Sequence, residues 1–191
     1  MYESTLERDW LMVLEFSADV ASLEVQPVRV TWYDDKGKER SYTPDLLVHY
    51  HKPELKPLLC EVKYQDELRK HWAELRSKFR AAYRYAKSRG WRFKVLNEKH
   101  IRTSLLQNAR FLLPFTRQIS AESPQIPELL SAIQHLERCS VQQLLQLVNA
   151  DPMIQAEYLP VLWYLVGTKQ IRADLMQKLT MASELWEVVD G

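Results

Sequence analysis

Two short apolar runs, Leu46-Leu47-Val48 and Leu58-Leu59-Cys60, flank a polar segment containing Pro53 and Pro57, and this stretch limits the fold more than any other. Apolar runs of that length, bounded by turn-forming residues, read as two strands of a hairpin with a long loop. Asp45 opens the first run, and Glu61 and Lys63 close the second. Side chains alternate across a strand, so Glu61 and Lys63 share one face while Val62 points into the opposite layer. An acid and a lysine thereby stand side by side.

The flanking segments supply an α/β setting. Ser4-Thr5-Leu6-Glu7 is a capping-box pattern that opens a helix, with Leu6, Trp10, Val13 and Leu14 as its apolar stripe. Glu7 therefore has a structural use, reaching back to the Ser4 amide. Strand-rich sequence follows over residues 23–33, a turn at Asp34-Asp35-Lys36-Gly37, and a strand over residues 40–50. Residues 66–88 have helical spacing, with Leu68, Trp72, Leu75, Phe79, Ala82, Tyr83 and Ala86 on the side expected to pack on the sheet. Arg89-Gly90 ends that helix. Residues 91–96 read as a further strand and 98–109 as a helix. A strand, a long helix and another strand imply a crossover connection and a mixed sheet.

Residues 114–127 are the expected linker, dividing the chain into domains 1–115 and 116–191. Beyond it, residues 126–136, 140–148 and 156–166 carry helical periodicity, and residues 170–174 and 184–189 are short extended runs. Three helices and a two-stranded ribbon resemble a winged-helix module. The net charge of +1 hides an asymmetry, +6 over residues 1–118 and −5 over residues 119–191. Between Arg69 and Arg102, twelve Lys and Arg residues face only Glu74 and Glu98. Such a density suits a phosphate backbone or, alternatively, a solvated helix face. Lys78, Arg80, Arg84 and Lys87 are the candidate phosphate contacts. His49 and His51 lack a third ligand at metal spacing, and two distant cysteines, Cys60 and Cys139, argue against a disulfide or a zinc site. The charged first twenty residues and the lack of any long uncharged apolar run lead to the expectation of a soluble cytoplasmic protein with no membrane span.

Metal-assisted phosphodiester hydrolysis needs hard oxygen ligands on the ion and a cation to stabilise developing charge. Asp45 and Glu61 are suitable ligands, and Lys63 a suitable cation. Pro44-Asp45 followed by Glu61-Val62-Lys63 is the PD-(D/E)xK nuclease pattern; the alternative is a strand-end ion pair of little energetic weight.

More specifically, residues 4–115 resemble the TnsA family, the endonuclease subunit of heteromeric cut-and-paste transposases. The resemblance rests on Leu6-Glu7 in the opening helix, Gln26-Pro27, Pro44-Asp45, Glu61-Val62-Lys63, Val95-Leu96-Asn97-Glu98 and Asn108. It implies a restriction-endonuclease-like mixed sheet flanked by helices, then a small helical, winged-helix-like domain that contacts proteins. It also implies an active-site set of Glu7, Asp45, Glu61 and Lys63, with magnesium or manganese held by Asp45 and Glu61 and with Glu7 as a third candidate ligand. Some relatives carry glutamine at the position of Glu61, where the wider nuclease group more usually has the acid. The implied role in bacteria is cleavage of transposon DNA at its 5′ ends, beside a DDE-type transposase and an ATPase regulator. Two other readings remain open on the residues alone: a stand-alone restriction- or repair-type nuclease, and a non-catalytic DNA-binding adaptor.

Overall fold

The computed structural model describes residues 4–34 and 36–188, so Asp35 of the expected turn and Val189 of the last extended run lie outside the described residues. The chain divides into two compact units, residues 1–102 and 103–191. In the first, α1 (Thr5–Phe16) begins at Ser4, whose extended backbone and hydroxyl cap the Glu7 amide at 3.1 Å. Leu6, Val13, Leu14 and Phe16 form its buried stripe. Then follow β1 (Val20–Val25), β2 (Val30–Tyr33), β3 (Glu39–Tyr42), β4 (Leu46–Tyr50) and β5 (Leu58–Val62).

The expected continuous strand over residues 40–50 is two strands. Pro44 lacks the N–H a ladder needs, so β3 ends before it and pairs only with β2, while β4 begins after Asp45 in a different sheet. That main sheet runs β1-β4-β5 antiparallel, with β6 (Arg92–Leu96) added parallel to β5. Leu46 lies opposite Cys60 and Val48 opposite Leu58, as a hairpin requires. All five residues of β5 are buried, as expected of a strand covered on both faces.

The crossover from β5 to β6 runs through α2 (Gln65–Lys70) and α3 (Trp72–Ser88), parted at His71. Phe79, Ala81, Ala82 and Ala86 are the buried residues of α3. Trp72 and Tyr83, expected on the packed side, are instead 54% and 55% exposed. Trp72 keeps the face of Phe79, whose ring lies 6.3 Å away, and is exposed as the first residue of α3, whereas Tyr83 stands one position, about 100°, around the helix from Ala82. Gly90, at φ +73°, closes the helix where a side chain would be strained. The helix expected over residues 98–109 is also two: α4 (Glu98–Ile101) and α5 (Ser104–Gln118).

Helix α5 belongs to the second unit, so the compact units part at Arg102, ahead of the expected linker. Pro114 lies inside α5 instead of opening a linker. A substituent on Gly167 would meet Thr116 Cγ2 at 2.6 Å, which shows how closely α5 lies on α8 (Pro152–Gly167). The unit also contains α6 (Gln125–Leu136), β7 (Arg138–Ser140), α7 (Val141–Val148), β8 (Ile171–Ala173) and β9 (Glu184–Glu187). Its sheet has three strands in the order β7-β9-β8, where two were expected. The sequence shows no periodicity over three residues, so Arg138–Ser140 is legible only once β9 supplies its partner. Buried Asn108 donates to the carbonyls of Leu175 and Gln177 at 2.9 and 2.7 Å and accepts from the Leu179 amide at 3.1 Å, fixing that loop. No helix among the described residues is long and apolar enough to cross a membrane.

Candidate active site

The strand register carries Asp45 and Glu61 to the same end of the main sheet. Asp45 precedes β4, and its Oδ2 accepts the Val62 amide of β5 at 2.6 Å. This bond ties the end of one strand to the other and fixes the carboxylate. Glu61, one residue earlier on β5, is only 2% exposed. Burial and the nearby charge of Glu61 push the Asp45 carboxyl up to about 7, since two carboxylates in one poorly solvated corner cannot both ionise easily.

Two lysines answer this charge. Lys78, from α3, donates to Glu61 Oε1 at 2.8 Å, and Lys63 Nζ stands 3.9 Å from the same oxygen. Burial works against the Lys63 ammonium, but Asp45 and Glu61, followed by Glu67 and Glu7, outweigh it and raise its pKa. Glu61 Oε2 is buried and has no hydrogen-bond partner among the described residues. Tyr42 closes the site, its hydroxyl driven well above the ordinary range by burial and by the charges of Glu61 and Asp45.

Of the residues expected from sequence, Asp45, Glu61 and Lys63 come together. Glu7 stands near enough for its charge to act on Asp45 and Lys63, and its Oε1 accepts from the Ser4 hydroxyl at 3.1 Å. The Glu7 carboxylate thus meets the Ser4 hydroxyl in place of the Ser4 amide expected of a capping box, and that hydroxyl oxygen accepts the Glu7 amide. Helix α1 is held by Arg102, which donates to Asp9 Oδ2 at 2.9 Å and to the Tyr64 hydroxyl at 3.1 Å. Lys78, expected among the phosphate contacts, is instead turned inward onto Glu61 and is 19% exposed. Its apolar neighbour Phe79 packs inward, which brings Lys78 to the rim of the buried face; helical spacing alone did not distinguish it from Arg80, Arg84 and Lys87, which stay exposed. His49 pairs with Glu24 at 2.9 Å. Glu98, part of the family-like sequence, has a structural use: its Oε2 accepts the Gln65 amide at 2.9 Å at the start of α2.

Among the described residues no three of His, Cys, Asp and Glu gather as a metal-binding group. Two carboxylates nevertheless fit a hard divalent cation, because magnesium commonly takes one or two carboxylates and fills its shell with water and substrate phosphate. The unpartnered Glu61 Oε2 and the raised Asp45 carboxyl are both features that a cation between them would relieve.

A mixed α/β domain with two carboxylates and two lysines converging at one end of its sheet has the equipment of a nuclease. Residues 17–98 match the family model described as TnsA-like endonuclease N terminal, and residues 100–175 match the one described as TnsA endonuclease C terminal. The chain belongs to the TnsA family of endonucleases. No curated protein matches it.

Proposed function

We propose that the protein is the metal-dependent endonuclease subunit of a heteromeric cut-and-paste transposase, working in the bacterial cytoplasm and cutting transposon DNA at its 5′ ends. The convergence of Asp45, Glu61 and Lys63 at the end of β4 and β5 is the observation that carries this reading. Asp45 and Glu61 would hold magnesium or manganese. Bound there, the ion would supply Lewis-acid polarisation of the scissile phosphate and a more acidic water. Lys63, kept charged by its carboxylate neighbours, stabilises negative charge growing on the phosphoryl oxygens. Glu7 adds negative charge to the site and helps keep Lys63 protonated. Arg80, Arg84 and Lys87 contact backbone phosphates from the exposed side of α3, which gives affinity without base selectivity.

The second unit reads as a winged-helix-like module, supported by the order α6-β7-α7-α8-β8-β9 that follows α5, with β9 between β7 and β8. Its acidic balance favours a protein partner over DNA, and the ATPase regulator is the proposed one. A DDE-type transposase would cut and join the 3′ ends. In a reconstituted reaction, Asp45→Ala should abolish 5′ cutting while 3′ cutting continues, read by end-labelling each strand. Loss of neither cut would leave the site without a catalytic role. Loss of 5′ cutting by a protein that acts with no transposase present would favour a stand-alone nuclease.

A further inference from the structure

Lys78 occupies one Glu61 oxygen that a divalent cation would need. Its ammonium also lies 4.9 Å from the Tyr42 ring centroid and 5.3 Å from that of Phe79. A cavity of about 530 Å³ between the β2–β3 hairpin and α3 is lined by Lys78, Trp32, Tyr42 and Ser77. Trp32 Nε1 and the Tyr42 hydroxyl are buried, and neither has a hydrogen-bond partner among the described residues. The indole N–H can only donate. The Tyr42 hydroxyl keeps its proton, because burial and the facing charges of Glu61 and Asp45 oppose ionisation. The same cavity is bordered by two acids. Asp34 is engaged, its Oδ2 by Arg40 at 2.9 Å and its Oδ1 by the amides of Lys36 and Lys38, each at 3.0 Å. Glu74 has an 83% exposed side chain and is therefore solvated. The cavity thus presents the Lys78 ammonium and, sealed beneath the walls that Trp32 and Tyr42 form, two unpartnered donors that solvent does not reach, with no unengaged buried carboxylate. A phosphodiester oxygen is the ligand that satisfies such a set.

We propose that this cavity receives a backbone phosphate of the DNA and that Lys78 passes from Glu61 to that phosphate, releasing both Glu61 oxygens for the metal ion. The inference rests on the reading of Asp45 and Glu61 as the metal pair. While Lys78 stays on Glu61, its charge repels an incoming divalent cation. At the dielectric of a partly buried site, that repulsion is enough to weaken binding by about tenfold or more. Seating DNA removes the repulsion, and by reciprocity the metal strengthens the hold on DNA by the same factor. The nuclease is therefore loaded with metal where DNA already lies in place. Ion-pair exchange of this kind forms and breaks no covalent bond.

The test is calorimetric titration of calcium, a hard oxygen-seeking cation, into the protein with and without a short duplex of arbitrary sequence. Wild type should bind calcium about tenfold more tightly when the duplex is present. Lys78→Gln should bind calcium about tenfold more tightly than wild type in the absence of DNA and gain little from adding it. Lys78→Arg should behave as wild type. Tyr42→Phe, which keeps the ring beside the Lys78 ammonium and removes the hydroxyl, should reduce the gain in calcium affinity from DNA about threefold. Unchanged calcium affinity in Lys78→Gln, together with an undiminished effect of DNA, overturns the exchange while leaving the metal pair intact. If Lys78→Gln does not fold, the wild type and Tyr42→Phe titrations decide, and the absence of any DNA effect on wild type overturns the proposal. Failure of wild type to bind calcium under either condition instead removes the metal pair itself, and this inference falls with it.

Discussion

Asp45 combines two demands that conflict at neutral pH. Its Oδ2 holds the Val62 amide and so joins the ends of β4 and β5, yet burial and Glu61 disfavour its charge, with its carboxyl near 7 against an ordinary value of 3.8. The folded protein therefore keeps a proton that the unfolded chain has already lost between about pH 4 and about pH 7. Stability contributed by this group must fall as pH rises through that window, since the folded state binds more protons there. In chelator, wild type should lose on the order of 3 kcal/mol of unfolding free energy between about pH 5 and about pH 8. Asp45→Asn, which keeps an acceptor for Val62 and carries no charge, should lose little over the same range; urea titrations at several pH values read the difference. A wild-type curve as flat as that of the variant would mean that Asp45 is not strained by its neighbour.

At the scale of elements, α3 divides its work between faces. Phe79, Ala82 and Ala86 are buried, Lys78 reaches Glu61 from the rim, and Arg80, Arg84 and Lys87 project outward. Replacing both Arg80 and Arg84 by alanine should weaken duplex binding uniformly across sequences and reduce the slope of log affinity against log salt by about 2, roughly one for each phosphate left without its cation. Fluorescence anisotropy over a salt series measures both, and an unchanged slope would assign these arginines to solvent alone. In the second unit, Asn108 makes three bonds to the 175–179 loop. Asn108→Ala leaves those backbone groups unpaired beside a buried gap and should cost roughly 2–4 kcal/mol. Chemical denaturation should show this as a lower midpoint, whereas a shift below about 0.5 kcal/mol would place the loop's stability elsewhere.

The whole molecule is electrically two-sided along its sequence. Residues 1–102 carry the basic segment and the convergent site, whereas the acidic excess lies in the unit that begins at Thr103. Affinity for a polyanion follows the local density of cations more than total charge. Residues 103–191 expressed separately should fail to retard duplex DNA at concentrations where the full chain does so, in a gel-shift assay. Retardation equal to that of the full chain would move the DNA-contacting surface to the second unit and overturn its assignment to a protein partner.

Much of this protein could be read along the chain because the relevant signals are local. The alternating strand pattern set Glu61 and Lys63 on one face, Ser4 announced the start of α1, and Gly90 announced the end of α3. Pro44 sits inside a stretch whose pattern suggests one strand, though its missing N–H divides β3 from β4. Other features arise only between segments. The inward turn of Lys78 spans seventeen positions to Glu61, and it depends on the phase of α3 after the break at His71. The raised Asp45 carboxyl depends on how much solvent the packed sheet and helix exclude, and β7 exists only because β9 lies beside it. Residue types and short-range spacing thus determined the ingredients of the site. Which cation faces which carboxylate, and which atoms are left without partners, was decided by tertiary packing, because burial and electrostatic coupling are properties of positions in space and have no counterpart in a local pattern.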